Sequence, residues 1–211
     1  MADLVPRTAR DAAGGAALAL AEIGIAGAWN VQGDCERASF VAEVRRLFSI
    51  DLPRVANTTT QRSALTAFWL GPESWLLVSD SALSRDDFIA ARDAINASDG
   101  ALFDVSASRV AFRVQGARAL DVLAAGCPLD FADRAFAARS CRQSLLFRVP
   151  ALIEKNSDEP SFTVYVPRSF ARGVWKALGA AAAEYGWEPR AWPPPAPRSP
   201  RARDHRDSDT R

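Results

Sequence analysis

Histidine is almost missing from this chain: the only one, His205, stands in a proline- and arginine-rich C-terminal stretch. An imidazole general base, a Ser-His-Asp or Cys-His pair, a histidine-rich metal centre and a histidyl-flavin bond all need a positioned imidazole. The folded part therefore offers none of them. Cysteine is scarce too, with Cys35, Cys127 and Cys141 as an odd set that forms no CxxC. That excludes a disulfide framework and fits a reducing, cytoplasmic setting. Cys141, in "ARSCRQS", has no base partner in the sequence, and all three cysteines read as small buried or strand-end thiols rather than nucleophiles.

Neither GxGxxG nor GxxxxGK[ST] occurs, so no phosphate cradle or dinucleotide site is visible. The glycines of "VQGD" and "VQGA", Gly33 and Gly116, read as strand-to-helix turns, and Asp34 disfavours an anion beside Gly33. Long apolar runs are absent. "AAGGAALALA" has Asp3 and Asp11 before it and Glu22 after it, which fits neither a leader nor a membrane span of roughly 20 apolar residues. No membrane partner is expected. Lysine is limited to Lys155 and Lys176, and the arginine excess beside so many alanines reads as coding composition rather than a contact surface. Residues 1–189 carry 20 basic and 22 acidic groups, which leaves no basic surface for nucleic acid.

What remains is 48% hydrophobic and 24% charged, enough to bury a core without staples, as one domain or two small ones. The chain also starts twice. "AWNVQGDCERASFVAEVRRLF", from Ala28, is echoed by "AFRVQGARALDVLAAGCPL", from Ala111. After the first strand, Phe40, Val44, Leu47 and Phe48 fall at helical spacing. "LTAFWLGPESWLLVSD" is a hairpin turning at Gly71-Pro72-Glu73; Ser84 starts a helix that Gly100 stops, and "ALFDVS" closes the unit.

The second copy runs alike. It has the strand "RVAFRVQG", a helix ended by Gly126 and Pro128, the strands "CRQSLLFRVPALIEK" and "SFTVYV", and a helix capped by Ser169 with Phe170, Val174, Leu178, Ala181 and Tyr185 on one stripe. Each unit reads as β-α-β-β-α-β, the ferredoxin-like order. The expected fold class is α+β, a tandem pair of such units over about 28–105 and 109–187, each covering the sheet face the other exposes. Residues 1–22 are expected as a partly ordered N-terminal segment, 23–189 as the domain, and 190–211 as a disordered tail, because unpatterned Pro/Arg-rich chain buries too little surface to order itself.

Trp69, Trp75, Trp175, Trp187 and Trp192, with Phe68, suggest a stacking platform, but at strand and helix spacing they read as core or interface anchors. Asp104 and Arg109 flank the junction of the halves; an ion pair joining the two units is the preferred reading over a substrate clamp. No catalytic, cofactor-binding or metal-binding residue is assigned.

"FDVSASRVAFRVQGARALDVLAAGCPLDF", "CRQSLLFRVPALI", "FTVYVPRSFARGVWKAL" and "WLGPESWLLVS" resemble the gamma subunit of heterotetrameric sarcosine oxidase over about residues 23–187, with "GCPLD" and "YVPRSFA" the most specific pieces. The resemblance implies a noncatalytic chain, similar in fold to the folate-binding part of glycine-cleavage T-protein. Its implied partners are alpha, beta and delta subunits that oxidise sarcosine to glycine and form hydrogen peroxide. FAD, FMN, NAD and tetrahydrofolate are implied on those partners and none on this chain. "CRQSLLFRVPALIEK" does not run on into the acidic, glycine-containing pattern expected around folate. A free-standing folate-binding protein and a general interaction module are the alternative readings.

Overall fold

The computed structural model describes residues 7–10, 16–132 and 135–187. Eleven strands and four helices follow one another within them. They are β1 Arg7–Arg10, β2 Ala16–Ile23, β3 Gly27–Gln32, α1 Ala38–Phe48, β4 Thr59–Arg62, β5 Leu65–Gly71, β6 Ser74–Ser79, α2 Arg85–Ala97, β7 Ala101–Asp104, β8 Arg109–Gln115, α3 Ala119–Ala124, β9 Ser140–Leu146, β10 Val149–Lys155, β11 Ser161–Pro167 and α4 Ala171–Ala183. Two antiparallel sheets result, ordered β4-β5-β6-β3-β7 and β1-β2-β8-β11-β10-β9.

Period-2 alternation decides which way each side chain faces. On β3 and β6, Trp29, Val31, Trp75 and Leu77 point to α1 and α2, where they meet Phe40, Val44 and Ile95. Ala28 and Leu76 point the other way, with Phe68, onto Ala111, Cys141, Leu152 and Tyr165 of the second sheet. The far face of that sheet carries Phe112, Val114, Phe162 and Val164 against Val174, Trp175 and Leu178 of α4. The layers therefore run helix, sheet, sheet, helix, with Phe68 and Tyr165 in edge contact across the middle at 5.2 Å. Strand β11 is covered on both faces, and its residues Ser161–Val166 are buried throughout.

Polar bonds fasten the two sheets at both ends. The Cys141 amide donates to the Asn57 carbonyl at 2.9 Å and the Thr59 hydroxyl to the Arg139 carbonyl at 2.8 Å. At the opposite end the Ala28 amide donates to the Ser106 hydroxyl at 2.8 Å, and Arg168 Nε to the Ala107 carbonyl at 2.8 Å.

The two "VQG" segments occupy matching places. Val31 lies between Trp75 and Leu102, and Val114 between Phe162 and Leu20. The Gly33 amide donates to the Glu73 carbonyl just before β6, as the Gly116 amide does to the Pro160 carbonyl just before β11.

Several expectations need correction. Residues 28–105 run β-α-β-β-β-α-β, because β4, from the polar "NTTTQRS", adds a strand that pairs with β5. Residues 109–187 run β-α-β-β-β-α, not β-α-β-β-α-β, because "CRQSLLFRVPALIEK" is itself the hairpin β9–β10. The second half has no closing strand of its own; β2 takes the place beside β8 that β7 takes beside β3. The expected domain boundary at residue 23 therefore falls inside a sheet strand, since Leu18 and Leu20 alternate into the core of the second sheet. Ser169 does not cap α4. It lies in the 3-10 turn Arg168–Phe170, and the helix starts without a side-chain cap. Val174 and Leu178 are buried as expected, but Phe170 is 53% exposed and Ala171, Trp175 and Ala182 fill the inward face. The tail 190–211, with Trp192 and His205, lies outside the described residues.

The β9–β10 turn consists of Phe147 and Arg148, at φ 49° and 67°. Two-residue loops with both residues in this region match the strand twist, but a side chain there is strained. Arg148 is exposed, so Arg148→Gly is expected to raise stability by roughly 1 kcal/mol. Urea denaturation checks this, and a lower midpoint would contradict it.

Candidate functional site

The thiols come first among the sequence-derived candidates. Cys141 is buried in β9 between the sheets, with Sγ 3.7 Å from the carbonyl oxygens of Thr58 and Trp69. Burial, and then the neighbouring Glu154, push its pKa up to about 12, so a neutral-pH thiolate is excluded. Cys35 is half-buried ahead of α1, and burial together with Glu36 pushes its thiol up as well. Cys127 is buried with Sγ 3.7 Å from the Ser144 hydroxyl. The three lie in separate places, beside different neighbours.

The described tryptophans serve as core. Trp75 is buried on the α1 side of the first sheet and Trp69 packs at its margin. Trp175 and Trp187 meet edge to face at 5.9 Å in the other helical layer. Phe68 sits between the sheets. The expected ion pair between Asp104 and Arg109 does not form. One oxygen of Asp104 accepts instead from the Ser106 amide at 2.9 Å and hydroxyl at 2.6 Å, which fixes the 3-10 turn Ser106–Ser108. Four residues separate the pair in sequence, but the short-range Asx bond captures the carboxylate first.

Two further features were not visible in the sequence. On the inner face of the second sheet, Glu154 lies opposite Cys141 on one side and Thr163 on the other. Tyr165 donates its hydroxyl to Glu154 Oε2 at 3.3 Å. Asn156, with its amide oriented to satisfy both ends, accepts from Arg113 Nη1 at 3.1 Å and donates to Thr163 Oγ1 at 3.0 Å. Burial pushes the Glu154 carboxyl up, against the Tyr165 hydrogen bond and Arg113, and burial pushes the Tyr165 hydroxyl well above its ordinary value. The members of this network satisfy one another, which suits it to stiffening the sheet.

Because Glu154 holds its proton more tightly folded than unfolded, its ionisation removes stability as pH rises from the ordinary carboxyl range through the raised folded value. Glu154→Gln is therefore expected to be more stable than the wild type at neutral pH, the difference closing as pH falls below about 4. Thermal midpoints across pH 4–8 test this, and a Gln variant less stable at pH 7.5 would contradict it.

The second feature is an open groove of about 620 Å³ along α2 and β7, lined by Phe88, Arg92, Asn96, Leu102, Phe103 and Asp104. Strand β7 forms the edge of its sheet, and Phe103 is 50% exposed. The groove offers an apolar wall, an arginine already bonded to Asp93, and a carboxylate half engaged by Ser106. Among the described residues no group of three or more His, Cys, Asp or Glu side chains is placed to hold a metal ion, and no helix is long and apolar enough to cross a membrane.

Comparison with known proteins gives this architecture its relatives. Residues 57–192 match the family described as GCVT N-terminal domain. The chain is similar to sarcosine oxidase subunit gamma of Corynebacterium sp. strain P-1, at 28% identity over 58% of this chain and 59% of that protein. It is also similar to the gamma subunit of Corynebacterium sp. strain U-96, at 27% over 46% of each chain, and to that of Arthrobacter sp., at 28% over 48% of each. The chain's matches thus span about half the length of these curated relatives.

Among solved structures, a chain of heterotetrameric sarcosine oxidase from Corynebacterium sp. U-96 in complex with pyrrole 2-carboxylate shares the fold, with a TM-score of 0.72 at 20% identity over 82% of this chain and 88% of that one. The glycine cleavage system aminomethyltransferase T of Bartonella henselae is more distant, with a TM-score of 0.53 at 15% identity over 74% of this chain and 44% of that one. The resemblance expected from "GCPLD" and "YVPRSFA" is thereby met. With the match extending over more than half of its residues, this chain belongs to the GCVT N-terminal domain family.

Proposed function

We propose that this chain is the gamma-type, noncatalytic subunit of a heterotetrameric sarcosine oxidase. In that reading it assembles with alpha, beta and delta chains that demethylate sarcosine oxidatively to glycine, pass the one-carbon unit to tetrahydrofolate and form hydrogen peroxide. FAD, FMN, NAD and tetrahydrofolate reside on the partners, and the complex is cytoplasmic. The observation that carries the proposal is agreement at two levels: sequence similarity to three curated gamma subunits, and a common fold over most of both chains with a member of the solved heterotetramer. The chemistry of the chain supports it. Cys141 is held protonated, Glu154 and Tyr165 are tied to each other, and one oxygen of Asp104 is bonded within a turn.

The architecture fits a scaffold. The orders β7-β3-β6-β5 and β2-β8-β11-β10 each correspond to the ferredoxin-like order 4-1-3-2, so the fold reads as a duplicated unit in which the second copy's closing strand is supplied from the N-terminal side. The domain then begins at β1, which pairs with β2 in the six-stranded sheet, rather than at residue 23.

The rival reading, a free-standing folate-binding protein of the T-protein kind, draws support from the family match and from the Bartonella structure. Its requirement is a solvent-open carboxylate for a pterin, and Asp104 in the α2–β7 groove is the candidate. Titrating the isolated full chain with tetrahydrofolate separates the two. The subunit reading expects no binding at micromolar concentration and full sarcosine-dependent peroxide formation only when this chain is coexpressed with its partners. Micromolar folate binding, or normal activity without the chain, would overturn it.

A further inference from the structure

Strand β7 is the outer strand of its sheet, and its outward backbone is used unevenly. The Val105 amide donates to the Ala28 carbonyl at 2.9 Å, so by antiparallel alternation Leu102 and Asp104 turn their N–H and C=O groups away from β3. The end of α2 closes this edge at its start. There the Gly100 amide donates to the Ile95 carbonyl at 3.0 Å, and the Gly100 carbonyl accepts from Asn96, with its amide oriented to satisfy both ends, at 3.2 Å. Leu102 is buried beside them. Asp104 is exposed, and its backbone amide and carbonyl bond to nothing among the described residues.

The other sheet edges differ. Strand β1 covers β2, and a bridge between Thr58 and Ser140 joins the margins of β4 and β9. Strand β1 itself begins and ends in arginine, and charge on an edge strand discourages further pairing. Strand β7 instead carries Phe103, 50% exposed, with Phe88 of α2 on the other wall of the groove. One charge there is also open. Arg92 is met by Asp93 at 2.9 Å, whereas the Asp104 carboxylate, steadied by Ser106 through one oxygen, pairs with no cation among the described residues.

We infer that the Asp104 end of β7 docks an extended segment of a partner subunit, one that carries a basic side chain beside an apolar one. The inference rests on the subunit reading above. Three demands meet in such a segment: its backbone pairs with the open Asp104 N–H and C=O, its cation with the open carboxylate oxygen, and its apolar side chain with Phe103. A second copy of this chain does not meet them. Two β7 ends laid antiparallel on each other at this point set Asp104 against Asp104, and like charges directly opposite repel.

The test uses the chain coexpressed with the sarcosine oxidase partner chains and the isolated full chain. Amide hydrogen exchange reads the edge without mutation: the Asp104 amide should exchange at least about tenfold more slowly in the complex than in the isolated chain. Removing an interface aromatic hot spot weakens association by about thirtyfold or more, which is the loss expected of Phe103→Ser. Asp104→Asn keeps an acceptor for Ser106 and loses the charge. It should weaken association about three- to tenfold at low salt, with the difference fading as salt rises. Both isolated variants should melt within about 2 °C of the wild type, since Asp104 and Phe103 are exposed.

An Asp104 amide that exchanges equally fast in both settings overturns the inference while leaving the subunit reading intact, as do variants that assemble with wild-type affinity. The exchange result decides even where a variant fails to fold. Protection already present in the isolated chain and lost on deleting residues 190–211 assigns the edge to the chain's own C-terminal stretch. A concentration-dependent dimer abolished by Phe103→Ser assigns it to a second copy, and tetrahydrofolate binding weakened by Asp104→Asn assigns the groove to a small ligand. Each of these overturns the partner assignment. A wild-type chain that enters no complex removes the subunit reading and this inference together.

Discussion

Replacing Trp75 by alanine is expected to lower the unfolding free energy by about 3–5 kcal/mol from the cavity alone. A further ~1–3 kcal/mol follows from the carbonyl left without its donor. Trp75 is fully buried, its neighbours across β6 are Val31 and Trp69, and its ring stands 6.1 Å from that of Phe40 on α1. Its indole Nε1 donates to the Pro53 carbonyl at 2.8 Å, tying the loop after α1 to the sheet. One side chain therefore holds a helix, a loop and three strands. Since a domain is typically stable by about 5–15 kcal/mol, the variant should be largely unfolded near 37 °C. Far-UV circular dichroism during urea titration measures the change, and a loss below about 1 kcal/mol would contradict the described packing.

A comparably severe effect is expected from adding volume where α1 meets the first sheet. The Phe40 ring is fully buried against two glycines. A Cβ on Gly100 would stand 2.6 Å from that ring and 2.9 Å from the Gln32 carbonyl oxygen, and one on Gly33 would stand 2.6 Å from the ring. The carbonyl is backbone in a central strand and cannot yield cheaply. Gly100→Val should cost about 1–3 kcal/mol or more through overpacking. Gly173→Ala, on the exposed side of α4 with nothing near its Cβ, should instead gain about 0.5–1 kcal/mol. Equal midpoints for the two variants would show that the Phe40 contact is not as close as described.

How much of this was legible follows from where the information lies. Most of the first half could be read directly, because its turns carry turn chemistry, but β4 was missed, since "NTTTQRS" is polar and carries no apolar alternation. Pro72-Glu73, just after Gly71, separates β5 from β6, and the Ser84 hydroxyl accepts from the Asp87 amide at the start of α2. The β9–β10 hairpin was hidden because Phe147-Arg148 contains no Gly, Asn, Asp or Pro, so an apolar run of strand residues looked continuous. Tertiary support holds that turn: the Phe147 amide donates to the Gly126 carbonyl at 2.7 Å and the Phe147 ring packs on the core.

Strand β2 was missed for a related reason. Leu18 and Leu20 alternate correctly, but alanine between them has weak strand preference, and its partner β8 lies about ninety residues away. The Asp104–Arg109 pair was misjudged because the Asp-Val-Ser spacing, which lets Ser106 take the carboxylate two residues on, was not weighed. The buried reading of Cys141 succeeded because it required only the absence of a base.

The subunit role is the central claim, and the most direct measurement is the native mass of whatever copurifies with this chain, affinity-tagged and coexpressed with the sarcosine oxidase partner genes. The account predicts one stable heterotetramer that contains this chain together with the alpha, beta and delta subunits and survives gel filtration at physiological salt. Recovery of the tagged chain as a free 22.8 kDa species, with the partners assembled and oxidising sarcosine without it, would contradict the account.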